Sequence, residues 1–499
     1  MFSGSRSLVQ PFDYNGEFVE YFGNETTLRS HVDLGLLFDT NVPGSQVFGG
    51  LSATVEGTVD LAPPTTPQTL LRSINGGAGV SPDGAIQITV NAGGTPESAI
   101  IDLGGAATLA DVAELIEAGA PPSGEIVVEV TGNGLRVSTD SAAVLNITIS
   151  EVSDGLAAKE LGIITPENTV QTTIDGTALD PVLLKTTRLD DLLGTKAVGR
   201  VVSGGDNNDI VLRANSNGTA LNGVTVEFVT GGTAGSEVAT CAAGTLTVAV
   251  EDGASTAAQV AAAISAEGTF TAEIDLRDAI NLSSAGEGVV ELTNFGSVTF
   301  GGSGTTLDQT SGLVVTNGAD SATIDVSAAE TVEDLLNELN GAGLSLQADI
   351  NAAQTGIDVR SRLSGASFSI GENGGATATQ LGIRSYTEAS RLADFNRDVG
   401  VLTNPGADLR ITAGDTSFFD VDLSGALTVD DVLNAINSNP GNGGRITAQL
   451  ATVGNGIELI DNTGGPNPLI VERLNGSQAG HLLGFLPDEM SLVALYPTD

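Results

Sequence analysis

A short segment with the pattern of a capped amphipathic helix occurs four times in this chain, and it constrains the fold more than any other feature. The clearest copy reads ETVEDLLNELN, in which Thr331 and Asp334 have the spacing of a capping box and the apolar residues recur at helical intervals. Three further copies begin at Thr108, Thr256 and Thr428, and the one at Thr256 is the weakest. The chain is therefore predicted to contain four related units, each built around one helix.

Alternating strand pairs flank three of these helices. The pairs before the helix are 85–90 with 98–103, 312–316 with 322–326, and 408–412 with 418–423, and the pairs after it are 125–130 with 135–138, 346–350 with 357–361, and 446–450 with 457–461. The turns Gly132-Asn133-Gly134 and Gly454-Asn455-Gly456 carry residues that tight hairpins favour. A phrase with the pattern Leu-Gly-apolar closes each unit, at 157–163, 378–383 and 480–485. The predicted fold class is α+β and β-rich, with tandem small ββαββ-type modules joined by short linkers.

A second recurring phrase marks the starts of the larger segments. In it Leu71, Ile74 and Val80 have a spacing that recurs after residues 187 and 389, and the Pro/Thr-rich stretch 62–68 has the composition of a linker. The predicted boundaries are 1–61 for a β-rich N-terminal region, 69–165, 187–304, 305–387 and 388–486 for four modules, of which 187–304 is the least regular, and 487–499 for a tail.

The charge balance excludes several classes of function. Nineteen basic and 62 acidic residues give a net charge of −43, so the surface repels phosphate backbones and anionic lipid headgroups. No apolar run reaches the roughly 18 residues of a membrane-spanning helix. The sequence predicts neither nucleic-acid binding nor membrane attachment.

No motif indicates catalysis or a cofactor. The two histidines, His31 and His481, lie far apart in sequence, and Cys241 is the sole cysteine. No phosphate-binding loop, nucleophile elbow or zinc-protease motif is present. We therefore predict that the protein is not an enzyme and name no catalytic, cofactor-binding or metal-binding residue.

One stretch, GGDNNDIVL at 204–212, approaches a calcium-binding nonapeptide. Asn207 stands where that pattern requires its central glycine, and the copy is single, whereas such repeats bind calcium by stacking. An acidic turn before a strand is the favoured interpretation. Calcium binding near Asp206–Asp209 stays an open alternative.

The repeated unit resembles the flagellin hook "IN" motif, named for the Ile-Asn that ends its helix. That dipeptide is Ile436-Asn437 here, Leu339-Asn340 is close to it, and Ile116-Glu117 and Ile264-Ser265 depart from it. The opening MFSGSRSLVQPF, with YFGN at 21–24 and GSQVFG at 44–49, is similar to the middle of the hook-associated protein 3 family. Together the motifs cover most of the chain.

This resemblance implies a structural component of the bacterial flagellum. Such a protein would link hook-associated protein 1 to flagellin at the hook–filament junction, beside neighbouring copies of itself, with an export chaperone as a further candidate partner. It would be extracellular and exported without a cleaved signal peptide. Family members carry helical segments at both ends, and no heptad segment occurs at either end of this sequence, so we expect it to represent the outer domains.

Two alternatives remain from the sequence. The filament cap, hook-associated protein 2, also carries such motifs, but the Phe-Ser-Gly opening argues against it. An acidic extracellular adhesin or carbohydrate-binding repeat protein is the alternative outside motility.

Overall fold

The computed structural model describes residues 2–14, 18–24, 26–33, 36–44, 47, 54–81, 84–139, 141–166, 169–276 and 284–486. Within them the chain is β-rich, with many small sheets and few helices, which confirms the predicted α+β class. The predicted tail 487–499 lies outside the described residues.

The N-terminal region contains five short strands. These are β1 (Phe12–Tyr14), β2 (Val19–Tyr21), β3 (Arg29–Asp33), β4 (Leu36–Asp39) and β5 (Thr54–Val55). Antiparallel pairing joins β1 to β2 and β3 to β4. The buried Tyr21 hydroxyl lies 3.0 Å from the Phe2 carbonyl oxygen and accepts the Gly44 N–H at 3.2 Å, so it ties the two ends of this region together.

Buried apolar side chains of the described residues form four clusters, each around one of the four predicted helices. We name the corresponding parts of the chain unit A (69–182), unit B (194–304), unit C (54–61, 183–193 and 305–385) and unit D (388–486). In each helix the predicted apolar stripe faces the cluster, as Val332, Leu335, Leu336 and Leu339 do in unit C.

Unit A packs its helix between two small sheets. Its elements are 3-10 helices Leu71–Ser73 and Pro122–Gly124, strands β6 (Ala85–Ala92), β7 (Thr95–Asp102), β8 (Ile126–Val130), β9 (Leu135–Thr139), β10 (Val144–Glu151) and β11 (Thr173–Asp175), and helices α1 (Leu109–Gly119) and α2 (Ala157–Glu160). The sheets have the strand orders β10-β6-β7 and β11-β9-β8.

Unit B has a different topology. Its elements are the 3-10 helices Leu189–Asp191, which precedes it, and Thr219–Leu221, strands β12 (Gly194–Val201), β13 (Ile210–Asn217), β14 (Thr225–Thr230), β15 (Val238–Ala242), β16 (Thr245–Val250), β17 (Phe270–Ile274), β18 (Asn294–Ser297), β19 (Thr299–Phe300) and β20 (Ser303–Gly304), and helix α3 (Ala257–Glu267). One sheet has the order β17-β13-β12-β19, with β20 also on β12, and the other has the order β15-β16-β14-β18. The pair β14–β16 is parallel, which no other described unit contains.

Units C and D repeat the order of unit A. Unit C contains β21 (Leu313–Asn317), β22 (Asp320–Ile324), α4 (Val332–Gly341), β23 (Leu346–Ile350), β24 (Ile357–Ser361), β25 (Phe368–Asn373) and α5 (Thr377–Gln380). Unit D contains the 3-10 helix Leu392–Asp394, α6 (Phe395–Asp398), β26 (Leu409–Thr412), β27 (Phe418–Val421), α7 (Val429–Asn437), β28 (Ile446–Leu450), β29 (Val453–Gly454), β30 (Ile457–Asp461), β31 (Ile470–Arg473) and α8 (Ala479–Leu482).

In units A, C and D a further strand follows the second hairpin. This strand, β10, β25 or β31, pairs antiparallel with the first strand of its unit, so the first strand becomes the centre of a sheet. The sequence pattern did not predict it, because β25 and β31 are short and rich in polar residues. Each of these units therefore closes by joining its last strand to its first.

Each helix begins at its predicted threonine with capping-box geometry. The first helical N–H also has a partner outside the helix: Leu109, Val332 and Val429 donate to carbonyl oxygens of residues in the phrase that precedes each unit. The N–H groups that a helix start leaves unsatisfied are therefore bound both by the cap and by this phrase.

The phrase at 187–193 packs with unit C. The predicted division at 187 and 305 places it with residues 194–304, but Leu189 and Leu192 are fully buried in the core of unit C and Val332 N–H donates to the Thr187 carbonyl. The chain leaves unit C after Leu193 and returns at Thr305, whose N–H donates to the Leu193 carbonyl at 3.1 Å. Unit B is thus inserted in unit C through two paired strand ends, β12 and β20.

We expect unit C to lose stability as the pH falls from about 4 to about 2. Desolvation raises the pKa of Asp308, but hydrogen bonds from Ala376, Ser311 and Thr310 outweigh it and lower the pKa from 3.8 to about 2. A carboxyl with a depressed pKa in the folded state stabilises that state above the unfolded pKa, and this contribution is lost as protons bind. Asp308→Asn should weaken this pH dependence in urea unfolding followed by hydrogen exchange of α5. Glu338→Gln, which removes an exposed carboxylate of α4, should leave it unchanged.

Candidate functional site

The two histidines and the cysteine, the side chains best suited to catalysis or metal binding, lie on different elements of the fold. His31 belongs to β3 and His481 to α8, at opposite ends of the described chain. Cys241 is half-buried on β15, and burial followed by the nearby Glu267 carboxylate raises the pKa of its thiol, which disfavours the reactive thiolate. The described residues contain no cluster of three or more His, Cys, Asp or Glu side chains placed to hold a metal ion. None of the described helices has the length and apolar character that crossing a membrane requires.

The acidic turn at Asp206–Asp209 is engaged in ion pairing within unit B. One Asp209 carboxylate oxygen lies 2.9 Å from the Arg200 guanidinium, and the other accepts the Ser203 N–H at 2.9 Å. The Arg200 Nε lies 2.5 Å from an oxygen of Asp275. Asp209 and Asp275 are both almost fully buried, so Arg200 supplies the positive charge that their burial requires.

Units A and C each contain a groove of the same kind, and each groove binds an extended segment of the chain. In unit A the segment 173–179 lies along β9: β11 pairs with β9, the Thr177 N–H donates to the Gly162 carbonyl at 3.0 Å, and the Leu179 N–H donates to the Asn133 carbonyl at 2.9 Å. The groove is therefore formed by the outer strand of the second hairpin, the turn of that hairpin, and the closing glycine of the unit.

Unit C binds residues 54–61 in the same way. β5 pairs with β24, the Thr58 N–H donates to the Gly382 carbonyl at 3.0 Å, and the Leu61 N–H donates to the Thr355 carbonyl at 2.8 Å. Thr58 and Gly382 are 324 positions apart in the chain. The segment docked on unit A comes from its own C-terminal part, shortly after the closing Gly162, whereas the segment docked on unit C comes from the N-terminal region.

The two docked segments, as we call residues 173–179 and 54–61, also share a sequence. They begin TIDGT and TVEGT. A Cβ atom at Gly176 would lie 2.5 Å from the Leu135 carbonyl oxygen, and one at Gly57 would lie 2.6 Å from the Ile357 carbonyl oxygen. Only glycine lets the docked segment approach this closely, so the groove selects glycine at that position.

The last residue of the IN dipeptide has a defined contact in the structure. Asn437 accepts the Ala448 N–H at 2.8 Å and donates to the Ala448 carbonyl at 2.7 Å, and Asn340 binds both groups of Ala348 in the same way. A primary amide supplies one donor and one acceptor to a peptide group, as a neighbouring strand would. The asparagine thereby closes the edge of the first strand after the helix and protects it from pairing with another chain.

Of the two departures from the dipeptide, Glu117 keeps the acceptor half of this contact, and Ser265 keeps both halves, since its hydroxyl also donates to the Ala272 carbonyl at 3.3 Å. Glu117 accepts the Val128 N–H at 2.7 Å, and the Ser265 hydroxyl accepts the Ala272 N–H at 2.9 Å. All four units therefore place an acceptor at this point. Sequence comparison of the dipeptides alone registers Glu117 and Ser265 only as mismatches.

Asn437→Ala is expected to destabilise unit D by about 1–3 kcal/mol, because it leaves a peptide group of β28 without two hydrogen bonds. Asn434→Ala, on the exposed side of α7, is the matched control, since among the described side-chain hydrogen bonds the Asn434 amide bonds only to Asp430. Urea unfolding with hydrogen exchange of α7 and β28 measures both variants. Equal stability of the two would refute a role for Asn437 at the strand edge.

A cleft of about 810 Å³ lies between units A and B. Its walls carry the carboxylates Glu114, Glu129 and Glu273 together with valine side chains, and none of the described residues that line it is aromatic. Stacking of sugar rings needs an aromatic face, and phosphate binding needs an excess of basic groups. The cleft offers neither.

Comparisons with protein-family models, curated proteins and solved structures find no match to this chain. Inference about function therefore depends on the contacts described above and on the resemblance of the sequence motifs.

Proposed function

We propose that the chain forms the outer domains of a structural protein of the bacterial flagellum, at the hook–filament junction, where it links hook-associated protein 1 to flagellin. The observation that carries this proposal is the contact of the IN asparagine. Asn340 and Asn437, at the positions for which the motif is named, each bind the peptide group of the following strand. The residues that carry the resemblance thus have a defined structural role, and this supports the proposal.

We also propose that the units act as tandem ββαββ-type modules. Units A, C and D each place a helix between two hairpins. In units A, C and D the two hairpins join residues close in sequence, and such local pairing favours rapid folding after export in an unfolded state. The strongly acidic surface would keep such an extracellular array soluble.

As partners we propose hook-associated protein 1, flagellin and neighbouring copies of the same chain, with an export chaperone before secretion. We propose no enzymatic activity.

Immunogold electron microscopy of intact cells, with antibody raised against this chain, tests the location. One gold cluster where hook meets filament would support the junction role. Label at the filament tip would favour the cap protein, and label along the filament would favour a flagellin. Label over the cell body would overturn the flagellar proposal and favour an adhesin.

A further inference from the structure

Unit D has the groove that units A and C use to bind their docked segments. Its β30 corresponds to β9 and β24, its turn residue Gly456 to Gly134 and Gly356, and its closing Gly484 to Gly162 and Gly382. The strand β30 pairs with β28 on one side, and no described strand pairs with its other side.

No described segment covers the glycines that border the groove of unit D. A Cβ atom at Gly162 would lie 2.6 Å from Thr177, and one at Gly382 would lie 2.5 Å from the Val59 nitrogen, because a docked segment covers both. At Gly484 no described atom lies within 4 Å of that position. Gly456 has no such neighbour either, whereas its counterparts Gly134 and Gly356 contact their docked segments.

The apolar residues around the groove of unit D are less buried than their counterparts in units A and C. Leu135 and Val137 of unit A, and their counterparts in unit C, are buried, but Ile457 and Leu459 of unit D are only half-buried. The same difference separates Ile74, Leu161 and Ile163 of unit A from their counterparts in unit D, which are Phe395, Leu483 and Phe485. Unit D therefore lacks a group that completes the core of the other two units.

Unit D has a cavity at the place that an apolar side chain of the docked segment fills in units A and C. It encloses about 250 Å³ and is lined by residues that include Phe395, Leu450, Ile457 and Leu483. In unit A the equivalent place belongs to Leu179, which is 1% exposed, and in unit C to Leu61. The amide nitrogen of Asn455, in the cavity wall, is buried without a hydrogen-bond partner among the described residues.

The required occupant can be specified from the occupied grooves. It is an extended strand with a glycine where it crosses the Ile457 carbonyl, and with an apolar side chain further on that fills the cavity. Residues 487–499 contain no glycine, and the two segments of this chain with the Thr-(Ile/Val)-(Asp/Glu)-Gly-Thr pattern are both already docked.

We propose that the groove of unit D binds an extended segment of another polypeptide, with the Thr-(Ile/Val)-(Asp/Glu)-Gly-Thr pattern, which adds a strand to β30. Strand addition of this kind combines main-chain hydrogen bonds with a pocket for selected side chains. This inference does not depend on the flagellar proposal.

Fluorescence anisotropy with the full chain tests it, using as the probe a labelled synthetic peptide of residues 172–180, TTIDGTALD. We expect saturable binding, weakened at least about tenfold when the peptide glycine is replaced by valine. Leu482→Trp, which places a bulky ring in the cavity, should weaken binding similarly. Ile470→Trp, on the exposed surface of β31, is the control and should bind normally.

Hydrogen exchange keeps the test decisive if Leu482→Trp does not fold. The bound peptide should protect residues 457–461 and 483–486, without loss of protection at 54–61 or 173–179. Absence of binding, equal binding of the valine peptide, or displacement of residues 54–61 would each overturn the proposal. Binding that occurs only after deletion of residues 487–499 would overturn it as well, by showing that the tail fills the groove.

Discussion

Leu336→Asp is expected to unfold unit C, at a cost of about 4 kcal/mol or more. Leu336 is 3% exposed on the apolar face of α4, so the substitution both removes packed methyl groups and buries a charge without a partner. Asn337→Asp introduces the same carboxylate on the exposed face of the same helix and should cost little. Hydrogen exchange resolved by segment measures the two variants side by side.

The segments that lose protection from hydrogen exchange in Leu336→Asp test whether the units have independent cores. Residues 54–61 should lose protection with unit C because their partners lie in it, and β29 should lose its pairing with β25. The cores of units A and D should keep their protection, because each is a separate cluster of buried side chains. Simultaneous loss of protection throughout the chain would contradict independent cores.

Arg200→Met is expected to destabilise unit B by about 3–5 kcal/mol, because it removes the guanidinium that pairs with the buried carboxylates of both Asp209 and Asp275. The triple variant that adds Asp209→Asn and Asp275→Asn removes the two buried carboxylates that pair with Arg200 and should recover most of that loss. Arg213→Met, on the neighbouring strand β13, controls for the loss of one positive charge. Limited proteolysis and hydrogen exchange of α3 measure the effect. A single variant as stable as the control would show that the ion pairs contribute little.

The local parts of the fold could be predicted from the sequence. The capping-box spacing, Thr–Asp in three copies and Thr–Gln in the fourth, located all four helices together with the apolar stripe. Period-two alternation located the hairpins, because both signals depend on neighbouring residues. The topology of unit B could not be predicted, because its parallel pair β14–β16 leaves no local signature. The same holds for its insertion in unit C, where the phrase at 187–193 and its helix are separated by more than a hundred residues.

A further repeated phrase in the sequence, which the predicted modules do not account for, indicates the groove. TVEGT at 54–58 and TIDGT at 173–177 are nearly the same sequence, and that similarity indicates a shared binding partner. The sequence predicts that Gly132 and Gly134 serve a tight turn, but neither has a positive φ angle. Their small size instead admits neighbouring segments, since Cβ atoms there would lie 2.4 Å from Thr195 and 2.8 Å from the Thr177 carbonyl oxygen. A glycine needed for close approach cannot be distinguished by sequence alone from one needed for backbone freedom.

The docking of residues 54–61 on unit C determines how the molecule would carry tension. A pull applied between residue 54 and residue 486 passes from β5 into β24 and then, through the pairing of β25 with β29, into unit D. The pairing of β5 with β24 closes a loop of the chain, and unit A lies within that loop. Unit B is connected to unit C through the paired strands β12 and β20. Neither unit therefore bears load while β5 stays paired. Units A and B thus lie outside the load-bearing path. Separation of β5 from β24 under force would place unit A in that path and lengthen the chain before unit C has to unfold.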